Sequence, residues 1–198
     1  QTVVSTAMPQ SANTPLTKSA PKLAHLFVDE SKRRSVTFVC ALIASGDVSE
    51  SRKAVRQLLM PGQSHIHFTK ESDRRRKMLL TEFTKLPLHA AIYEAPQGLR
   101  EVEQRRICLD AIATDAVAIQ VRHLLIERDD SQSVHDRRTL YKSINRHTFV
   151  PTLEYRLVGK RDEPLLWVAD GIAWAWTHAD WRQRIASRVI GHRRITSP

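Results

Sequence analysis

Carboxylates that close apolar runs are the residues of this chain best placed to do chemistry. "LAHLFVDES", residues 23–31, ends in Asp29 and Glu30, and the cations Lys32, Arg33 and Arg34 follow at once. "HLLIERDD", residues 123–130, carries Glu127 with Arg128 behind it. "PLLWVADGIAWAW", residues 164–176, holds Asp170 in a segment that is apolar nearly all round. An isolated buried carboxylate costs several kcal/mol unless it is paired, protonated or bound to a metal. No basic residue occurs between Arg161 and His178, so Asp170 lacks a local helical partner. Its partner must come from elsewhere in the fold, or be a cation.

Brought together, Asp29, Glu127 and Asp170 would repel one another and protonate in part unless a cation neutralised them. Oxygen ligands of this kind suit Mg²⁺ or Mn²⁺, with Glu30 a fourth candidate ligand. Two such ions about 3.5–4 Å apart activate a water and stabilise the leaving oxygen in phosphodiester hydrolysis. Lys32, Arg33, Arg34 and Arg128 could hold the phosphates that bare carboxylates would repel. Each acid also has a plainer reading: Asp29-Glu30 as a polar turn, Glu127 as a helix cap or a partner of Arg128. The three together, at adjacent places in a fold, favour the metal.

The elements that must position them follow from pattern. "LAHLFVD" and "VTFVCALIA" are short, β-branched and aromatic-rich, and "ESKRRS" between them suits a hairpin loop. Two helices follow, "GDVSESRKAVRQLLMPG" and "ESDRRRKMLLTEFTKLP", stopped by Pro61-Gly62 and Pro87. "SHIHFTK" between them reads as a short extended piece. "LHAAIYEA" is a strand. In the longest helix, residues 98–120, Val102, Leu109, Ile112, Ala116 and Ile119 recur on one face. Then come strand "VRHLLIERD", helix "SVHDRRTLYKSINRH", strand "TLEYRLV" and a long closing helix from Asp162. Without the helical pair after the second strand the order is β-β-β-α-β-α-β-α. That predicts a five-stranded mixed sheet flanked by helices, with a helical insertion between its second and third strands. It is the element order of the ribonuclease H-like fold. Residues 1–22 read as a flexible arm, 23–186 as the domain and 187–198 as a basic tail.

"FVDES" followed late in the chain by "PLLWVADGIAWAW" resembles the family called domain of unknown function 3800. Its members open on a "-DES-" strand and close on a helix carrying "-AD-IAG-". "HFTKESDRRR" and "LIERDD" are similar to an actinobacterial branch. The resemblance spans residues 23 to about 184. It implies a ribonuclease H-like fold and nuclease activity, in a mobile-element or phage-defence setting. By position, Asp29 and Glu30 match the first motif and Asp170 the second, while Glu127 is placed by strand order. Where the family has Gly after "DES", this chain has Lys32.

The remaining signals are weaker. His65 and His67 would share a face of a strand, but no third zinc-like ligand follows them. A place for His67 and Glu71 at the rim of the carboxylate site, with Lys70, is the better reading. "DRRRK", residues 73–77, is a solvated helix face on which Arg74 and Arg75 could touch phosphate. Asp115 reads as a salt-bridge or capping residue, and the four tryptophans mostly as core. There are 31 Lys plus Arg against 21 Asp plus Glu, a net charge of +10, which favours a polyanionic partner, DNA or RNA, with a protein partner also open. Cys40 and Cys108 lie in apolar segments and read as buried thiols. No apolar run approaches the ~20 residues of a membrane span, and the first residues lack a secretory signal, so the expected compartment is the cytoplasm. The chain starts at Gln1, from which processing, trimming or fusion is expected. The leading expectation is a Mg²⁺- or Mn²⁺-dependent nuclease. The alternative is a non-catalytic nucleic-acid- or protein-binding module on the same fold. A cation side chain at the point where the carboxylates meet would favour the second.

Overall fold

A computed structural model describes residues 13–14, 23–33, 35–147 and 153–196. Its strands are β1 (Asn13–Thr14), β2 (Ala24–Ser31), β3 (Thr37–Ala44), β4 (Leu88–Glu94), β5 (His123–Glu127), β6 (Glu154–Val158) and β7 (Val189–Arg194). Its α-helices are α1 (Val48–Arg56), α2 (Asp73–Phe83), α3 (Glu101–Ala118), α4 (Ser133–His147), α5 (Leu165–Thr177) and α6 (Ala179–Arg182). The strands form one sheet in the order β1-β7-β4-β3-β2-β5-β6. β2, β3 and β4 pair antiparallel; a short polar loop joins β2 to β3, and α1 and α2 lie between β3 and β4. β5 and β6 add in parallel beyond β2, each reached through a helix, as parallel crossovers require.

The five expected strands and the helical insertion, α1 and α2, are all present. Two strands go beyond the expectation. Residues 189–194, read from sequence as tail, form β7, parallel to β4. Asn13 and Thr14, in the expected arm, pair with β7. The rest of that arm lies outside the described residues. "SHIHFTK" is not extended: Phe68–Lys70 is a 3-10 turn.

Both faces of the sheet are covered. β3, "TFVCALIA", is buried along almost its whole length, so its alternate residues feed two cores. On one side Phe27, Val39 and Ala41 pack with Leu166, Ala169, Ile172 and Ala173 of α5 and with Leu79 and Phe83 of α2. On the other, Leu26, Val28, Cys40 and Leu42 pack with Cys108, Leu109 and Ile112 of α3 and Leu140 and Ile144 of α4. α5 lies against β2 and β3. Gly171 lets it do so: a Cβ there would stand 2.8 Å from the Phe83 ring and 3.0 Å from that of Phe68. Cys40 and Cys108 are buried free thiols. Among the described residues no helix is long and apolar enough to cross a membrane.

Candidate active site

Strand periodicity brings the first two acids together. β2 and β5 are parallel, with Phe27 opposite Leu125 and Val28 opposite Ile126. Two residues past Phe27 and Leu125, Asp29 and Glu127 fall on the same face, because strand side chains repeat every second residue. Phe27 and Leu125 belong to the core under α5, so that face is the one α5 crosses. α5 brings Asp170, whose neighbours Val168, Ala169, Gly171 and Ile172 are all buried. Asp29 is 2% exposed and Asp170 7%.

The point on which the three converge is held by an ammonium. Lys160 Nζ lies 3.0 Å from Asp29 Oδ2, 3.1 Å from Glu127 Oε2 and 3.2 Å from Asp170 Oδ2. Lys160 sits in the short connection from β6 to α5, and the Trp167 indole N–H donates to its carbonyl at 2.6 Å. Asp170 Oδ2 also accepts the Phe68 backbone N–H at 3.1 Å. Asp29 Oδ1 accepts the Glu30 N–H at 2.7 Å, while its buried Oδ2 faces the Lys160 ammonium. Three carboxylates against one ammonium leave negative charge in excess, and the proton balance reflects it. Burial, then the adjacent Glu127, then the charge of Asp170 push the Asp29 carboxyl well above its ordinary range, against the pull of Lys160. Burial also acts to raise Glu127, but Asp29 and Lys160 beside it outweigh that and hold it below its usual value. Burial opposes charge on Lys160, yet Asp29, Asp170 and Glu127 raise its pKa.

Among the described residues no group of three or more His, Cys, Asp or Glu side chains is spaced, as it stands, to hold a metal ion. Lys160 accounts for that. Contacts of 3.0–3.2 Å to its nitrogen keep the oxygens farther from their common centre than the ~2.1 Å of a Mg²⁺ shell. The donor chemistry nonetheless fits a hard divalent ion. Three carboxylates from three elements face one point, where a single ammonium leaves two of their three charges unmatched.

Several expected site residues lie elsewhere. Glu30 is not a candidate ligand: strand alternation turns it to the opposite face of the sheet from Asp29. There it meets Arg105 of α3, which also grips Asp136 of α4 at 2.8 and 2.9 Å. Lys32 does not stand ready for phosphate, because Glu101 (2.6 Å), Glu30 (3.1 Å) and Asp129 (3.3 Å) surround its ammonium. Arg34 lies outside the described residues. Arg33 is exposed and donates to the Thr177 carbonyl at 3.0 Å, at the C-terminal end of α5. Arg128 pairs with the exposed Asp130 at 2.8 Å and lines the cleft that holds Asp29 and Glu127. His67 does reach the rim, with Nδ1 3.8 Å from Asp170 Oδ2. Glu71 is instead buried and bound by Gln63 at 2.7 Å. Arg75 donates to the Leu58 carbonyl and so ties α2 to the end of α1. Lys70 and Arg74 are exposed. Asp115 is a salt-bridge residue, held by Arg193 at 3.0 Å and Tyr93 at 2.9 Å.

Lys160 is the member of this cluster that the sequence reading does not single out. It lies ten residues before Asp170 and outside α5, so helical spacing does not point to it. Only the β6-to-α5 connection, folded back over the ends of β2 and β5, reveals it.

No family model and no curated protein matches the chain. Among solved structures, the chain is similar to one in the PCNA:RNase HII complex from Archaeoglobus fulgidus, at 17% identity and a TM-score of 0.53. The match covers 82% of this chain and 76% of that one. At that identity the likeness speaks for the fold, and with the sheet order above it makes this a ribonuclease H-like α/β domain.

Proposed function

We propose that the protein is a divalent-metal-dependent nuclease. The observation that carries this reading is the convergence of Asp29, Glu127 and Asp170 within 3.0–3.2 Å of one point, with fewer positive than negative charges around it. Asp29, Glu127 and Asp170 would hold Mg²⁺ or Mn²⁺, which when bound supplies activation of a water and stabilisation of the leaving oxygen. The rest is work for the chain's own groups. Arg33 and Arg128 stand at the ends of β2 and β5, where they can orient phosphates beside the scissile one. His67 at the rim can hold a phosphate oxygen through its ring nitrogen. The net charge of +10 draws a polyanion, DNA or RNA, to this face of the protein. The resemblance to domain of unknown function 3800 agrees, and with it a cytoplasmic setting in mobile-element or defence biology.

The second reading is a binding module without catalysis, and the Lys160 ammonium at the convergence point is what favours it. The test is calorimetric titration of Mg²⁺ and Mn²⁺ into the wild type, Asp29→Asn and Asp170→Asn, with DNA and RNA cleavage followed in parallel. Binding and cleavage in the wild type, both lost in the two variants, is the expected result. Nucleic-acid binding with no metal affinity in any of the three would leave the module.

A further inference from the structure

Lys160 has a shape and setting that a permanent salt bridge does not need. One ammonium can neutralise one carboxylate, yet here it touches three, two of them almost wholly buried. Its main chain is fixed from both sides. The Trp167 indole holds its carbonyl at 2.6 Å, and the Asp162 N–H closes the turn onto the Gly159 carbonyl at 3.0 Å. Its side chain is not sealed in: it is 16% exposed, and Glu127 beside it is 30% exposed. A four-carbon stem on a fixed backbone can therefore move its ammonium from the floor of the site to its mouth by rotamer changes alone.

Resting on the nuclease reading above, we infer that Lys160 is an exchangeable counter-ion of the carboxylate site. In the metal-free protein its ammonium occupies the metal position and holds Asp29, Glu127 and Asp170 together. When a divalent ion enters, both cations cannot share one point, and the ammonium turns outward. At the mouth it meets the phosphate of a nucleic-acid strand next to the bond being cut. Metal and substrate binding are thereby linked: the ion frees the cation that the polyanion needs. Against free metal at low concentration, the same lysine acts as a competitor.

Lys160→Met, which keeps the stem and removes the charge, separates the possibilities. Without metal the variant should melt below the wild type, because three carboxylates lose their counter-ion. Added Mn²⁺ should raise its melting temperature more than that of the wild type, and calorimetry should give at least tenfold tighter Mn²⁺ binding. A second measurement needs no variant. Acetylation of the native protein, mapped by mass spectrometry, should be slow at Lys160 in chelator and several-fold faster with Mn²⁺. Mn²⁺ that binds the wild type but leaves Lys160 acetylation unchanged, or binds Lys160→Met no better, overturns the exchange and leaves the nuclease reading intact. Wild type and variant that both ignore millimolar Mn²⁺ overturn the nuclease reading itself.

Discussion

At the scale of single residues, charge balance decides what the site can do. Asp29 keeps its proton to higher pH in the folded chain than in the unfolded one, chiefly because it is buried. Between its ordinary value and the raised one, the folded state binds more protons, so stability falls as pH rises through that window. Asp29→Asn cannot ionise and has nearly the same shape. In chelator it should match the wild type near pH 4, the ordinary Asp range, and gain on it steadily as pH rises. Urea midpoints across that range test this; a wild type that instead gained on the variant would mean Asp29 is ionised and well paired by Lys160. The acids themselves were legible in sequence, because a carboxylate ending an apolar run is costly and must be answered. Glu30 shares the motif with Asp29, but strand alternation puts the two on opposite faces, and Glu30 meets Arg105 instead. Lys160 was not legible by any local spacing, since its contacts cross from the β6-to-α5 connection to three separate elements.

Elements hold those residues in register, and two positions carry much of that duty. Gly171 follows Asp170, and its lack of a Cβ brings α5 onto Phe68 and Phe83. Gly171→Ala should cost about 1–3 kcal/mol by overpacking. It should also weaken Mn²⁺ binding, because the same contact aligns the Phe68 N–H with Asp170. Chemical denaturation and calorimetry on the one variant check both. Glu94, the last residue of β4, gathers His192 (3.0 Å) and Arg194 (3.3 Å) from β7 and the Trp176 indole (2.9 Å) from α5. His192 above all, then Trp176 and Arg194, against the opposing effect of burial, hold its pKa down at about 2. Such a group adds stability above its unfolded pKa and loses it as pH falls towards the folded one. At ~1.4 kcal/mol per unit, Glu94→Gln should cost up to roughly 3 kcal/mol at neutral pH and almost nothing near pH 2. A cost that persisted in acid would make the loss one of shape, not charge. Strands β2 to β6 and helices α1 to α5 were readable because each has its own period, although the closing helix reads on from Asp162 through His178, where the extended His178 breaks it into α5 and α6. β7 was not: "VIGHRR" has a weak alternation and a basic end, and only the open edge of β4 makes it a strand.

For the whole molecule the question is where a charge of +10 acts. Composition says that a polyanion is favoured, but not which cations face it. The structure divides them by partner. Lys32 is held by three carboxylates, and Arg105 is buried against Glu30 and Asp136. Arg33, exposed and donating to the Thr177 carbonyl, and Arg128, paired only with the exposed Asp130 among the described residues, stand at the ends of β2 and β5. Each phosphate neutralised on duplex DNA contributes a slope of about −0.9 to log K against log salt. Arg33→Gln with Arg128→Gln should therefore flatten that slope by up to about two contacts' worth, while leaving Mn²⁺ affinity unchanged or slightly higher, since nearby positive charge opposes a bound dication. Lys32→Gln should barely alter the slope, because its charge is already matched. It should instead lower stability by about 1 kcal/mol or less, as expected for an exposed ion-pair network. Binding isotherms at four or five salt concentrations, with Ca²⁺ in place of Mg²⁺ to slow cleavage, distinguish the two sets. A slope that fell with Lys32→Gln and held in the double arginine variant would move the nucleic-acid track from the mouth of the cleft to the loop after β2.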